Sequence, residues 1–314
     1  MNTTSPTTPD CLEVTGLHVR YPNGAHAVRG VDLAIGEGDT VALVGESGSG
    51  KTTIAHAVLG LLPKKTRIEG TAYLGPDDTT RVNLLQLDHR EWRSLRGRRI
   101  GYIAQNPFGS CDPLRSVEHH VASAWTVHRE RPPDGAVEAS LTSLGIADAA
   151  RRARLRPHQW SGGMLQRASI AGARALGPEL VVADEPTSAL DADLARSTLL
   201  ALRDSVAAAL LVTHDLSLAE EVADTIYVLY GGEVMEHGRV SDIMASPQHP
   251  YTRSLLAAVP QGRGVLPTPL PGNPPDPLLP RTGCAFAARC PEARAVCAAA
   301  PSLTGGVACH LRAS

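Results

Sequence analysis

Gly45-Glu46-Ser47-Gly48-Ser49-Gly50-Lys51-Thr52 constrains this chain more than any other stretch. It follows Thr40-Val41-Ala42-Leu43-Val44, a continuous apolar run, and precedes an apparent helix through Leu62. Such a run reads as a strand buried on both faces, which suits a parallel sheet covered by helices. Between strand and helix, a G-x-x-x-x-G-K-[ST] turn lets successive backbone N–H groups face phosphate oxygens, and the helix N-terminus adds partial positive charge. Lys51 is placed to reach the β- and γ-phosphates of a nucleotide, and the Thr52 hydroxyl to ligate Mg²⁺. A chance glycine-rich turn would not explain the strand before it and the helix after it.

Leu180-Val181-Val182-Ala183-Asp184-Glu185-Pro186 is the second element. A carboxylate ending a buried parallel strand lies at the sheet edge where ligands bind in such folds. Asp184 is expected to hold Mg²⁺ through its water shell, and Glu185 to orient and polarise the attacking water. Together the two motifs define a P-loop ATPase or GTPase. A third, Trp160-Ser161-Gly162-Gly163-Met164-Leu165-Gln166-Arg167, opens an Ala-rich helix with Ser161 as N-cap and leaves backbone N–H groups open beside the glycines. That makes a second anion-binding device, or, read alone, a helix cap and nothing more.

Composition removes several other classes. The 314 residues are 43% hydrophobic and 20% charged, which excludes an intrinsically disordered chain. Lys and Arg number 30 against 32 Asp and Glu, so no global charge argues for nucleic acid as a partner. No apolar run approaches the roughly 18 residues of a membrane span. The start, MNTTSPTTPDCLEV, has neither a basic nor an apolar signal region, so a cytosolic chain that reaches the membrane through a partner is expected.

Residues 1–10 are expected to be disordered. Alternation over Leu12–Val14, Leu17–Arg20 and Val31–Ile35, broken at Pro22-Asn23-Gly24 and Gly36-Glu37-Gly38, predicts short antiparallel strands. Residues 106–163 predict a helical subdomain, and Leu210-Leu211-Val212-Thr213 a further buried strand. A domain over 11–245 is then followed by an extension over 246–314, with a proline-dense, semi-rigid linker at 260–281.

The order Gly45–Thr52, Gln105, Ser161-Gly162-Gly163, Asp184-Glu185, Ser188-Ala189-Leu190-Asp191, His214 resembles the ATP-binding subunits of ABC transporters. His249-Pro250-Tyr251-Thr252 and the Cys-rich tail resemble the dipeptide/oligopeptide/nickel importer branch, over nearly the whole chain. The resemblance implies an α/β fold: a P-loop (RecA-like) ABC ATPase core, an antiparallel β subdomain, a helical subdomain and a Cys-rich tail. It implies ATP and Mg²⁺, with Gln105 sensing the metal and the permease, His214 as a γ-phosphate switch and Tyr21 stacking on adenine. Thr53 extends the phosphate-binding run. The chain holds one copy of each motif, so Ser161, Gly162, Gly163 and Asp191 would act in trans, on the nucleotide of a second ATPase subunit that is similar but not identical. Two permease subunits and an extracytoplasmic substrate-binding protein complete the implied assembly, at the cytoplasmic face of the cell membrane. Peptides are the cargo it favours. Nickel or metal chelates are the alternative, and a soluble, non-transport ABC ATPase is the other rival. That rival typically carries two cassettes or a long coiled coil, for which the interval from Lys51 to Asp184 leaves no room. The pattern departs from the family at Trp160 and Met164, which flank Ser-Gly-Gly, and at Asn106, where Asp often follows the loop glutamine.

Cys284, Cys290, Cys297 and Cys309 close the chain with spacing C-x5-C-x6-C-x11-C. Paired C-x2-C spacing, as in zinc ribbons, is absent, while four thiolates can enclose a [4Fe–4S] cluster. The resemblance points the same way. A structural [4Fe–4S] cluster on these four cysteines is therefore expected, with zinc or unligated thiols as the alternatives.

Overall fold

The computed structural model describes residues 11–77, 79–188, 190–259 and 270–312. Residues 1–10, Ala189 and the first part of the proline-dense stretch, 260–269, lie outside the described residues. Among the described residues the strands are Leu12–Arg20 (β1), His26–Ile35 (β2), Thr40–Val44 (β3), Arg67–Leu74 (β4), Val82–Asn83 (β5), Ile100–Ile103 (β6), Leu180–Asp184 (β7), Ala209–Val212 (β8), Thr225–Tyr230 (β9) and Glu233–Arg239 (β10). The helices are Lys51–Val58 (α1), His89–Leu95 (α2), Val117–Val121 (α3), Ser123–Val127 (α4), Ala136–Ser143 (α5), Ala149–Ala153 (α6), Gly162–Ala173 (α7), Ala192–Arg203 (α8), Leu216–Val222 (α9), Val240–Ala245 (α10) and Pro250–Ala257 (α11). They divide into two compact units. One comprises the residues up to Ala34, Val41–Leu85 and everything from Val212; the other comprises Ile35–Thr40 and Gln86–Leu211.

In the first unit an antiparallel sheet runs β2-β1-β4-β5. β1 pairs β4 from Leu12↔Leu74 to Arg20↔Arg67, with a register shift between Thr15 and His18. The same unit carries β10-β9-β3. Here β3 and β9 are parallel, Val41↔Thr225 to Val44↔Val228, and β10 closes an antiparallel hairpin on β9. Every residue of β3 is buried, as an apolar strand covered on both faces must be. The helix expected through Leu62 stops earlier. Gly60 takes φ +61°, its N–H donates to Ala57 O at 3.1 Å, and the Leu61 N–H donates to His56 O at 2.8 Å. That paired closure satisfies the last carbonyls of α1 and ends it.

The core of this unit gathers Ala42 and Val44 from β3, Ile226, Val228 and Tyr230 from β9, Leu216 and Ala219 from α9, Tyr251 from α11 and Phe286 from the tail. Tyr230, Tyr251 and Phe286 form a three-ring cluster, with centroids 4.6 Å apart for the two tyrosines and 5.3 Å from each tyrosine to Phe286. Few aromatics exist in the chain, and three of them join the C-terminal extension to the strand beside the phosphate loop. The described half of the proline-dense stretch is also anchored here. Pro277 O accepts from the His26 N–H at 2.9 Å, and Arg281 donates to Gly231 O at 2.8 Å while pairing with Glu233. Proline lacks a backbone donor but keeps its carbonyl, so such a segment can serve as an acceptor ladder.

The second unit holds β8-β7-β6, with β6 and β7 parallel from Ile100↔Leu180 to Ile103↔Ala183. Its helices α3 to α7 fall within the stretch expected to be helical or just beyond it. Trp160 is 4% exposed and donates its indole N–H to Arg152 O at 3.2 Å, tying the entry of α7 to the end of α6.

Candidate nucleotide-binding site

In the first unit the glycines of 45–50 adopt conformations only glycine tolerates. Gly45 sits at φ +145°, and a Cβ there would lie 2.1 Å from Leu229 O; at Gly50, φ +105°, it would lie 2.6 Å from Ala27 O. The loop is thus threaded against β9 and β2 by close backbone approach. Lys51 is 6% exposed, and its ammonium donates to Gly45 O at 2.7 Å and Glu46 O at 3.0 Å. A buried cation held at the lip of a ring of backbone N–H groups is an anion-binding arrangement. Thr52 is exposed on the first turn of α1, whereas Thr53 is buried and shares a 3.0 Å hydrogen bond with the Tyr21 hydroxyl. Tyr21 therefore stands beside α1, with its ring partly accessible.

His214 is brought to the same strand. The Thr213 N–H donates to Leu43 O at 3.1 Å, one residue before β3 ends, and His214 follows, exposed, ahead of Asp215, which caps α9. The first unit thus assembles Tyr21, Gly45–Thr53 and His214 about the ends of β3 and α1.

The second unit assembles the remaining residues. Asp184, 3% exposed, ends β7. The half-buried Tyr102 phenol is pushed up by desolvation and, secondarily, by the nearby Asp184 charge. Glu185 has φ +47°, the left-handed region, which costs a residue with a side chain of order 1–3 kcal/mol and tends to mark functional positions. Its carbonyl accepts from the Ser188 N–H at 3.2 Å, and the Ser188 hydroxyl reaches Gln105 O at 3.4 Å, so the turn after Glu185 touches the loop bearing the exposed Gln105. Asn106 has a structural reason to be Asn: its Oδ1 accepts from the N–H groups of Phe108 (3.0 Å) and Gly109 (3.1 Å), closing the turn. Ser161 caps α7, accepting from the Met164 N–H at 3.3 Å. Asp191 caps α8 the same way through the Leu194 N–H at 3.0 Å. The two caps are neighbours, because α7 packs on α8 where a Cβ on Gly163 would lie 2.3 Å from Leu194. Gly162, the first residue of α7, is half-buried.

Sequence reasoning missed three residues at the phosphate loop. Tyr251 accepts the Glu46 N–H at 2.9 Å, and Arg289 grips the Glu46 carboxylate with Tyr230 beside it. His249-Pro250-Tyr251 was a visible signal without a place; Arg289, 243 positions from Glu46, carried none.

The tail cysteines do not bear out the cluster expectation. Cys297 and Cys309 are buried, Cys284 and Cys290 half-buried, and the Cys284 N–H donates to Cys297 O at 3.0 Å. Burial pushes the Cys284 thiol up, and Cys297, Cys290 and Cys309 push it further; at Cys290, burial acts first, with Glu292, Cys297 and Cys309 adding to it. Among the described residues no group of three or more His, Cys, Asp or Glu side chains is disposed to hold a metal ion.

Residues 28–188 match the ABC transporter family, and residues 235–297 match the oligopeptide/dipeptide transporter C-terminal region. The dipeptide transport ATP-binding protein DppD of Bacillus subtilis is 38% identical over 301 residues, covering 91% of this chain and 88% of that one. The oligopeptide transport ATP-binding protein OppD of Salmonella typhimurium is 36% identical over 314 residues, covering 96% of this chain and 92% of that one. Among solved structures, the dimeric ATP-binding cassette MJ0796, in a post-hydrolysis state bound to ADP and Pi, superposes with TM-score 0.62 at 27% identity, covering 73% of this chain and 98% of that one.

Proposed function

The chain belongs to the ABC transporter family as an ATP-binding, ATP-hydrolysing subunit with the C-terminal region of oligopeptide/dipeptide transporters, and from that premise we propose that it powers peptide uptake. The observation that carries the reading is the phosphate loop itself, with Gly45 and Gly50 in conformations open only to glycine and Lys51 drawn to its lip. The peptide cargo is supported by relatives named for dipeptide and oligopeptide transport.

In this reading Gly45, Glu46, Ser47, Gly48, Ser49, Gly50, Lys51, Thr52 and Thr53 bind the triphosphate, and Tyr21 stacks on the base. Thr52, Asp184 and Gln105 would hold Mg²⁺, which when bound spreads the charge of the β- and γ-phosphates. Glu185 orients and deprotonates the attacking water, and His214 contacts the γ-phosphate. Ser161, Gly162, Gly163 and Asp191 complete the site of a second ATPase subunit. ATP-driven closure of the pair then moves two permease subunits that receive cargo from an extracytoplasmic binding protein. No helix among the described residues is long and apolar enough to cross a membrane; in this reading the permeases hold the chain at the cytoplasmic face. A cavity of about 470 Å³ in the second unit, lined by Arg93, Tyr102, Ala104, Val127 and Leu165 beside the Gln105 loop, supports docking there.

The deciding experiment is Glu185→Gln in the assembled transporter. A positioned base contributes about 10²–10⁴-fold, so turnover should nearly stop while ATP still binds. Turnover at the normal rate would refute the assignment, and the ligand held by the co-purifying binding protein identifies the cargo.

A [4Fe–4S] centre on Cys284, Cys290, Cys297 and Cys309 is a separate reading. Its support is the presence of four thiols in one short tail, with Cys284 and Cys297 joined by a backbone hydrogen bond of 3.0 Å. Anaerobically purified protein should then be brown and hold about four iron per chain. Colourless, iron-free protein would end that reading.

A further inference from the structure

Glu46 stands at the lip of the phosphate loop, where an unpaired carboxylate would repel an incoming polyphosphate. It is paired instead by a residue of the C-terminal tail. Arg289 donates from Nη1 to Glu46 Oε2 at 2.6 Å and from Nη2 to Oε1 at 3.0 Å, a bidentate fork. The fork is itself held: Nη1 also donates to the Tyr230 hydroxyl at 3.0 Å, Nε donates to Pro271 O at 2.6 Å, and the guanidinium lies 5.5 Å from the centre of the Tyr230 ring. The Arg289 side chain is only 6% exposed and that of Glu46 25%, so solvent screens this pair less than a surface bridge. The other polar points of Glu46 are also taken, its N–H by Tyr251 and its carbonyl by Lys51.

We propose that Arg289 is a positioning residue for the nucleotide site, holding Glu46 and with it the mouth of the phosphate loop ready for the triphosphate. The proposal rests on reading Gly45–Thr52 as that loop. Two effects follow from the geometry. The guanidinium cancels a negative charge at the place a polyphosphate must pass. It also fixes the second residue of a loop whose N–H groups must converge before ATP arrives, so less ordering remains to be done on binding. The C-terminal extension thereby becomes part of the ATP site without touching the nucleotide.

The test is steady-state ATP hydrolysis by the assembled transporter, with thermal unfolding followed on the same samples. Arg289→Gln should raise the ATP KM about 5–10-fold, a coupling of ordinary size, and change kcat far less. Arg289→Lys keeps the charge but loses the fork, and should fall between the two. In a Glu46→Gln background, Arg289→Gln should add little, because the partner is already gone. A wild-type KM in Arg289→Gln, even with lowered thermal stability, would overturn the proposal and leave Arg289 as a tail anchor. Should Arg289→Gln fail to assemble, wild-type KM values in both Arg289→Lys and Glu46→Gln would overturn it equally. A native complex that hydrolyses no ATP would instead sink the functional reading on which the proposal stands.

Discussion

At the scale of single residues, the site is built from conformations the side chains themselves dislike. Gly45 is the sharpest case. Its φ is +145°, and any Cβ at that position would fall 2.1 Å from Leu229 O, which leaves no room for even a methyl group. Gly45→Ala is therefore expected to displace the loop from β9, abolish ATP binding and cost about 2–4 kcal/mol of stability. Urea unfolding and nucleotide titration of the variant check this; native affinity for ATP would contradict it. Glu185 is the complementary case, a residue with a side chain kept at φ +47° at the end of a buried strand. Local preference opposes that conformation, so the turn closed by Ser188 must impose it.

At the scale of elements, the start of α11 shows how the extension is locked in place. The buried Glu236 carboxylate accepts from the N–H groups of Gln248 at 2.7 Å and His249 at 3.0 Å, and His249 Nδ1 accepts from the Tyr251 N–H at 3.0 Å. His249 is 1% exposed, and burial is the main cause that pushes its pKa down to about 4, with the Arg253 charge adding to it. Well above pH 6.5 the imidazole is neutral whether folded or not, and its contribution to stability is flat. Between about pH 6.5 and 4 the unfolded chain binds a proton that the folded chain refuses, so stability falls as pH falls, by on the order of 3 kcal/mol across the window. His249→Asn keeps a capping acceptor and removes the titration. Denaturant unfolding at several pH values should show a flatter acid limb in this variant, and an unchanged limb would mean another group governs it.

At the scale of the whole molecule, each motif occurs once, and under the proposed function the Ser161 cap serves a nucleotide bound elsewhere. Ser161→Arg puts a bulky cation at the start of α7 while leaving Lys51 and Glu185 intact. Mixed with an unmodified partner ATPase, such a chain should disable the site that holds the partner's ATP while its own phosphate loop still binds nucleotide. Photolabelling each subunit with an ATP analogue reads this out, and loss of labelling on the Ser161→Arg chain alone would count against action in trans.

What the sequence by itself determined lies in short, local patterns. The apolar run Thr40–Val44, the glycine-lysine turn after it and the carboxylates ending Leu180–Asp184 each report a strand, a turn or a strand end within a few residues. Ser161 announces a helix start by the same local chemistry, since a cap needs only its own side chain and an N–H three residues on. Only the tertiary structure decided what depends on distant segments meeting. Arg289 finds Glu46 from 243 positions away, and Tyr251 finds the same residue from 205. A proline-dense stretch that reads as a linker becomes an acceptor ladder once β2 lies beside Pro277. Of the four cysteines that read as a cluster site, Cys284 and Cys290 pack against an apolar core, where burial pushes both thiols up. Such outcomes turn on burial and on partners at long sequence separation, and neither quantity is written in local spacing.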